Sequence, residues 1–170
     1  LLGTNILSIL ERSFTVIPYD IEEWDITDRN AGERVIAEVR PSVILNLAAY
    51  TNVDDCEDCL SLADRVNAEG AGIIAGLCKE HNIKFVHIST DYVFDGTKDS
   101  PYTEDDLPKP LNVYGMTKLQ GEQAIQQVNC KHIILRTAWV YSMRKDSFIL
   151  KVLNWARNRS SIRVVVDQVG

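Results

Sequence analysis

The sequence predicts an α/β protein built on a doubly wound parallel sheet, and three observations support that fold class. Short β-rich runs alternate with helical stretches along the chain. The run 43–47 is apolar apart from one asparagine, as expected of a strand buried on both faces. A length of 170 residues, with 45% hydrophobic and 25% charged residues, suits one globular domain. The alternation predicts helices on both faces of a parallel sheet.

The first elements have clear local signals. The run 15–20 carries Thr, Val and Ile and predicts a strand ahead of the one at 43–47. A helix is expected over 29–40, because Asp28 is a suitable N-cap and Pro41 lies just past its end.

The remaining elements follow the same alternation. A long helix is expected over 60–81, with a break near 67–70. The second half is predicted to contain a strand at 84–90, a polar loop at 91–110, a helix at 112–128, a strand at 132–140, a helix at 147–158 and a last strand at 162–166.

Charge and hydropathy exclude some function classes. The formal net charge is −6 and Lys and Arg do not cluster, which argues against nucleic acid or an anionic membrane as the main partner. No apolar run approaches the ~20 residues of a membrane span, and no signal peptide is recognisable, so a cytoplasmic location is expected. The first residue is Leu, so the chain is expected to start inside a larger protein.

The four cysteines are interpreted as incidental. Cys56 and Cys59 form a C-x-x-C pair, but the acidic residues around them disfavour thiolates. No second pair supplies the remaining ligands of a zinc site, and the three histidines have no ligand spacing. We therefore predict no metal site.

A Tyr and a Lys at helical spacing are the strongest sign of chemistry. Tyr114 and Lys118 share one helix face, where a Lys ammonium would lower the phenol pKa and let the Tyr act as a general acid towards a carbonyl. The alternative is an ordinary aromatic residue beside a solvated Lys. Tyr141 and Lys145 repeat the spacing in a polar turn, and this copy is interpreted as accidental.

Thr90 ends the predicted strand 84–90. Ligands of parallel sheets bind beyond the carboxyl ends of the strands, where Ala48 and Ala49 are also expected. The Thr90 hydroxyl could hydrogen-bond a substrate carbonyl. A β-branched residue that simply caps the sheet explains its position equally well.

The signal for a dinucleotide site is partial. Gly3 precedes a helical stretch at 6–12, but the strand and the earlier glycines of a Rossmann fingerprint are absent. Asp20 ends the predicted strand 15–20, where an acid would bind a ribose 2′-OH and favour NADH over NADPH. Asp25 and Ile26 could lie beside the adenine, although Asp25 also suits a helix start.

Seven sequence blocks together resemble the dTDP-4-dehydrorhamnose reductases, a family of the extended short-chain dehydrogenase/reductases. The resemblance implies a Rossmann-like fold and NADPH- or NADH-dependent reduction of the 4-keto group of a dTDP-linked 6-deoxy-hexulose. That reaction converts dTDP-4-dehydrorhamnose to dTDP-L-rhamnose for cell-surface polysaccharides. The blocks are 46–54, 66–70, 89–96, 101–106, 110–119, 136–141 and 167–170.

The same resemblance assigns roles to individual residues. Thr90 would hold the carbonyl, Tyr114 would protonate its oxygen, and Lys118 would tune Tyr114 and bind the nicotinamide ribose. Other matching positions are the cofactor-lining Ala48, Ala49, Tyr50 and Thr51, the adenine-side Asp25 and Ile26, the substrate-side Asp91 and Tyr92, and the sugar-contacting Trp139.

The chain departs from the family pattern at both ends. The first strand, its glycines and the C-terminal substrate-binding region are absent, so residues 1–170 are expected to form a single, incomplete dinucleotide-binding domain. Such a fragment is expected to bind cofactor weakly and to lack activity. The family resemblance also leaves open Mg²⁺ in the full-length form and a homodimer through the helices 60–81 and 112–128.

Two other function classes stay open at this point. A regulatory subunit of the methionine adenosyltransferase type shares two of the blocks but lacks the Trp of the block 136–141. A sugar-nucleotide epimerase or dehydratase is the other alternative. A dehydratase would place an Asp-Glu pair after Thr90, where this chain has Asp91 and Tyr92.

Overall fold

The computed structural model describes residues 2–141 and 148–163. The chain divides into two compact units. One unit comprises Tyr19–Thr137 and contains the sheet. The other comprises Leu1–Pro18 and Ala138–Gly170.

The sheet-containing unit alternates helices and strands as the sequence predicts. Asp28 caps its first helix, and its side chain accepts a hydrogen bond from the Asn30 N–H. The elements are α2 (Arg29–Val39), β1 (Val43–Asn46), α3 (Val53–Asp58), α4 (Leu60–Asp64), a π-helical turn (Arg65–Glu69), α5 (Gly70–Glu80), β2 (Lys84–Thr90), a 3₁₀ turn (Asp91–Val93), α6 (Val113–Val128) and β3 (His132–Thr137).

The three strands form one parallel sheet in the order β1-β2-β3. Val43 pairs with Lys84, and at the carboxyl end Thr90 pairs with Thr137. Both connections are crossovers through helices, as parallel strands require. The predicted parallel α/β fold class is confirmed.

Several predicted boundaries are wrong. Residues 15–20 form no strand, because Pro18 lacks an N–H and the chain turns at Asp20, whose carboxylate accepts the Glu22 N–H. β1 ends at Asn46 and not at the predicted residue 47, and β3 ends at Thr137 and not at the predicted residue 140. The short helix α3 was not predicted.

Other predictions near the chain ends have mixed outcomes. The predicted helix 6–12 begins earlier and spans Leu2–Leu10. Of the predicted strand 162–166, the first two residues lie outside regular structure, and the others lie outside the described residues.

The expected break in the long helix is a π-helical turn, Arg65–Glu69, inserted between α4 and α5. A π-turn closes each hydrogen-bonded ring with one residue more than an α-turn, and it often marks a functional site. The turn buries the side chain of Asn67 completely.

Helix α6 approaches its neighbours very closely at two glycines. A Cβ at Gly121 would lie 2.3 Å from the Asn67 carbonyl oxygen, and one at Gly115 would lie 2.2 Å from the Tyr92 carbonyl oxygen. Only glycine permits these approaches. They bring α6 against the π-turn and against the end of β2.

The core of this unit lies between the sheet and the helices α5 and α6. Its centre is fully buried and includes Phe85 of β2, Ile74 of α5 and Ile125 of α6. Trp24 and Ile26 pack against its margin.

The second unit contains α1 (Leu2–Leu10) and α7 (Phe148–Asn158). In α7, Phe148 packs edge-to-face on Trp155, with ring centroids 6.5 Å apart. In the described part of the chain, every helix is too short or too polar to cross a membrane.

We predict that Gly121→Ala destabilises the protein by about 1–3 kcal/mol, because the new methyl group meets backbone rather than a movable side chain. Urea denaturation of the purified chain measures this change. The matched control is Gly76→Ala in α5, where the methyl group meets only the end of the Arg29 side chain, at 3.4 Å. The control should be neutral or slightly stabilising. Equal stability of the two variants would contradict the close approach.

Candidate active site

Thr90 is the last residue of β2 and is buried, with 5% of its surface exposed. Its hydroxyl accepts the Tyr92 N–H at 3.2 Å and donates to the Asp91 carboxylate at 3.1 Å. Thr90 thereby caps the 3₁₀ turn that follows the strand. Asp91 and Tyr92 are themselves exposed beside it.

Tyr114 lies in the first turn of α6, which Asn112 caps by accepting the Gly115 N–H at 2.7 Å. The close approach at Gly115 brings the Tyr114 ring edge-to-face against Tyr92, with centroids 5.7 Å apart. The Thr90 side chain is near enough to influence the pKa of Tyr114. The structure therefore places Tyr114 beside the residues that end β2 at the carboxyl edge of the sheet.

The pKa of Tyr114 is raised, in contrast to the expected lowering by Lys118. Burial of the phenol is the main cause, and it outweighs the opposite effect of the nearby Thr90 hydroxyl. Tyr114 therefore keeps its proton at neutral pH and can donate it.

Lys118 lies one turn further along α6 and is only 2% exposed. Its Nζ donates to the Ile88 carbonyl at 2.7 Å and lies 3.2 Å from His87 Nε2. Burial lowers the pKa of Lys118 to about 8. The amine is therefore bound to β2 rather than solvated.

The turn after β1 holds the predicted cofactor-lining residues Ala48, Ala49, Tyr50 and Thr51. Asn46 accepts the Ala48 N–H at 3.0 Å. Asn67 accepts the Tyr50 N–H at 2.8 Å and donates to the Tyr50 carbonyl at 3.0 Å. Two asparagine side chains therefore fix the backbone of this turn.

Asn67 also joins this turn to α6. Its Nδ2 donates to the Thr117 hydroxyl at 3.1 Å. Thr117 is fully buried, and it precedes Lys118 directly in the sequence. One amide thus connects the turn after β1 with the helix that carries Tyr114 and Lys118.

The predicted adenine-side residues Asp25 and Ile26 are both partly buried. Asp25 accepts hydrogen bonds from the N–H and hydroxyl of Thr27 at 2.9 and 2.8 Å, which lower its pKa and keep it ionised. Ile26 packs against the core. Asp20 is exposed and caps its own turn.

The loop between β2 and α6 is organised by two aspartates. Asp95 accepts from Thr97 and from the Tyr102 hydroxyl, and Asp106 accepts from Thr103 and Lys98. These bonds lower the pKa of both carboxyl groups. The segment between Thr90 and Tyr114 is therefore held in shape by hydrogen bonds among its own residues.

Two predicted site residues belong to the other unit. Gly3 lies inside α1, not in a loop before it. Trp139 is half exposed, packs on Phe148 with centroids 5.7 Å apart, and has a left-handed backbone with φ of 50°. That backbone region is strained for a residue with a bulky side chain.

Sequence reasoning missed Asn46, Asn67 and His87. Each is buried, and each bonds to a residue far away in the chain. A polar residue inside an otherwise apolar strand, as at positions 46 and 87, was the available signal.

The structure gives no new role to the cysteines. All four are free thiols, and burial is the main cause of the raised pKa of Cys56. Within residues 2–141 and 148–163, no group of three or more His, Cys, Asp or Glu side chains could hold a metal ion. A groove of about 500 Å³ is not lined by Thr90, Tyr114 or Lys118. Its lining residues are Leu60, Ser61, Asp64, Arg65, Glu69, Met116 and Gln120.

The parallel sheet, its helical crossovers and its solved neighbours define the class of protein as Rossmann-like. All of residues 1–170 match the family model described as the RmlD substrate binding domain. The chain belongs to that family.

Named relatives agree with this assignment. A dTDP-4-dehydrorhamnose reductase of Aggregatibacter actinomycetemcomitans is 41% identical over 157 residues, which cover 92% of this chain and 53% of that protein. The corresponding reductase of Salmonella typhimurium is 44% identical over 147 residues, or 86% and 49%. The chain thus spans about half the length of these curated relatives.

Solved structures agree as well. A dTDP-4-dehydrorhamnose reductase of Clostridium acetobutylicum matches with a TM-score of 0.95 and 39% identity, over 99% of this chain and 60% of that one. The Bacillus anthracis enzyme, solved in complex with NADP, matches with a TM-score of 0.91 and 35% identity, over 95% and 58%.

We predict that Asn67→Ala speeds amide hydrogen exchange at Tyr50 and destabilises the chain by about 1–3 kcal/mol, because a partly buried N–H loses its acceptor and the Tyr50 carbonyl loses its amide donor. Exchange followed by NMR measures the first effect and urea denaturation the second. The control is Asn52→Ala, which removes the exposed N-cap of α3 at a cost of about 1 kcal/mol. If Tyr50 exchanges at the same rate in both variants, Asn67 does not anchor the turn.

Proposed function

We propose that the chain supplies the cofactor-binding half and the proton donor of an NAD(P)H-dependent reductase. The substrate of this reductase is a dTDP-linked 6-deoxy-hexulose, whose 4-keto group is reduced. The reaction converts dTDP-4-dehydrorhamnose to dTDP-L-rhamnose. The observation that carries the proposal is the placement of Tyr114 against the residues that follow Thr90 at the carboxyl edge of the sheet, one helical turn from Lys118. Family membership and the named relatives support the same reading.

The residues around β1 fit a nicotinamide dinucleotide. Ala48 and Ala49 carry no side chain beyond Cβ, so a ligand can approach the fixed backbone of this turn closely. Asp25 is ionised and suits hydrogen bonding to an adenine amino group. The NADP complex of the Bacillus anthracis relative supports a nicotinamide cofactor. When bound, this cofactor would supply hydride to the sugar C4.

The chain's own residues would handle the proton. As hydride reaches C4, negative charge develops on the 4-keto oxygen. The Thr90 hydroxyl would orient and stabilise that oxygen, and Tyr114 would donate its phenolic proton to it. The raised pKa of Tyr114 supports this direction, because the phenol is protonated before the reaction.

The exposed pair beside Thr90 would face the substrate. Asp91 and Tyr92 follow directly on the strand end, and both are exposed. Trp139 would contact the sugar in the complete protein. No step is assigned to Mg²⁺, since the described residues include no cluster suited to hold it.

Both alternative classes are less well supported. The curated relatives named above are reductases, which does not favour a regulatory subunit. A UDP-glucose 4-epimerase of Thermus thermophilus shares the fold with a TM-score of 0.77, but at 22% identity the likeness concerns the fold alone.

We predict that Tyr114→Phe lowers turnover by roughly 10²–10⁴-fold, because it removes the proton donor and keeps the ring. The assay follows loss of reduced-nicotinamide absorbance with dTDP-4-dehydrorhamnose, in the chain extended at both ends to the length of its relatives. Lys118→Met should weaken cofactor binding in calorimetric titrations with NADH and NADPH.

The matched control is Tyr141→Phe, at the second copy of the Tyr–Lys spacing. Tyr141 is 70% exposed, so this variant should keep full activity. Full activity of Tyr114→Phe together with loss in Tyr141→Phe would assign the proton donor to the other copy. No reduction by the extended wild type would reject the proposed function.

A further inference from the structure

A buried line of polar side chains runs from the turn after β1 to Lys118, and the reaction as described above does not use it. Asn46 accepts the Ala48 N–H, its Nδ2 lies 3.2 Å from His87 Nδ1, and His87 Nε2 lies 3.2 Å from Lys118 Nζ. Asn46, His87 and Lys118 are 5%, 1% and 2% exposed. Because water does not reach them, each donor needs an acceptor within the line.

The backbone fixes the direction of these hydrogen bonds. The Ala48 N–H can only donate, so the Asn46 oxygen accepts it and the Asn46 amide nitrogen faces His87. That nitrogen is a donor, so His87 Nδ1 must accept and the ring proton must sit on Nε2. In an imidazolium, the Nδ1–H would face the Asn46 amide N–H, and two donors would oppose each other. The His87 ring is therefore neutral.

The consequence falls on Lys118. An ammonium group has three donors and no acceptor, so it would oppose the His87 Nε2–H. A neutral amine has a lone pair that accepts this N–H, while one of its own N–H groups donates to the Ile88 carbonyl. The neutral form of Lys118 is therefore the one that matches a donor to an acceptor at the His87 contact.

We propose that His87 and Asn46 are positioning residues that favour the neutral amine of Lys118 over its ammonium form, with the His87 Nε2–H donated to Lys118 Nζ. Burial is the main cause that lowers the pKa of His87 to about 3, so the ring is neutral as the hydrogen bonds require. Burial also lowers the pKa of Lys118.

One charged group acts in the opposite direction. Glu122, on the same helix as Lys118, favours the ammonium form. However, Arg136 of β3 binds both Glu122 carboxylate oxygens, at 2.9 and 2.6 Å. This ion pair compensates the Glu122 charge close to Lys118.

The consequence for catalysis rests on the proposed function. Above about pH 8, Lys118 is mostly the neutral amine, so neither this amine nor the Tyr114 phenol carries a buried charge. When Tyr114 gives its proton to the sugar oxygen, the resulting phenolate raises the proton affinity of Lys118. An ammonium on Lys118 then partly cancels the phenolate charge.

The first test measures the unliganded wild-type chain, labelled with ¹⁵N in histidine and in lysine. His87 should show a protonated Nε2 and an unprotonated Nδ1, unchanged across roughly pH 5–8, where free histidine titrates. A ring proton on Nδ1, or an imidazolium in that range, would overturn the proposal. Lys118 Nζ should titrate near 8, and a midpoint near the ~10.4 of free lysine would also overturn it.

The second test compares two substitutions of His87. His87→Gln can still accept from Asn46 and donate to Lys118, so the Lys118 midpoint should stay where it is. His87→Leu removes the donor, and the proton affinity of Lys118 should rise about tenfold, which is one pKa unit. A purely structural His87 would give the same midpoint in both variants, and that result would reject the positioning role.

These measurements need neither cofactor nor substrate. Failure of the extended protein to reduce a keto sugar would reject the proposed function and leave the His87 result intact. The wrong His87 tautomer would reject this inference and leave the proposed function intact.

Discussion

The geometry of the site depends on one buried amide. Asn67 bonds to both backbone groups of Tyr50 and to the Thr117 hydroxyl, so the turn after β1 and the helix α6 cannot move independently. A fully buried amide is costly unless its polar groups are paired, which makes this connection strongly preferred over any looser arrangement. The glycine at 121 is what lets α6 come close enough for these bonds.

A second constraint acts on the protons. Thr90 and Tyr114 lie where β2 ends, at the carboxyl edge of the sheet, and Lys118 and His87 are buried in the interior of the unit. In such surroundings, hydrogen bonds are electrostatically stronger than in water, and an unmatched donor is more costly. The order of donors and acceptors along β1, β2 and α6 therefore controls the charge of the site as much as the identity of the titratable residues does.

Local patterns predicted the parts of the fold that depend on local physics. The strand Lys84–Thr90 and the helix ending at Val128 were predicted with the observed ends, since apolar runs and caps are properties of neighbouring residues. The run 15–20 has strand-like residues, but strand formation also requires a ladder partner, which periodicity does not report. Thr90, Tyr114 and Lys118 could be selected from spacing and resemblance. The bonding partners of Asn46, Asn67 and His87 could not be predicted, because those partners are 17 to 50 residues away.

The π-helical turn has a consequence for how this segment tolerates changes in length. Because the turn holds one residue more than an α-turn, deletion of a single residue within Arg65–Glu69 would restore a regular helix. The flanking helices α4 and α5 would keep their faces towards the sheet, while Asn67 would rotate away from Tyr50 and Thr117. A variant with that deletion would retain the fold and lose the Asn67 bonds that anchor the site. The extra residue is therefore needed for the geometry of the site and not for the packing of the helices.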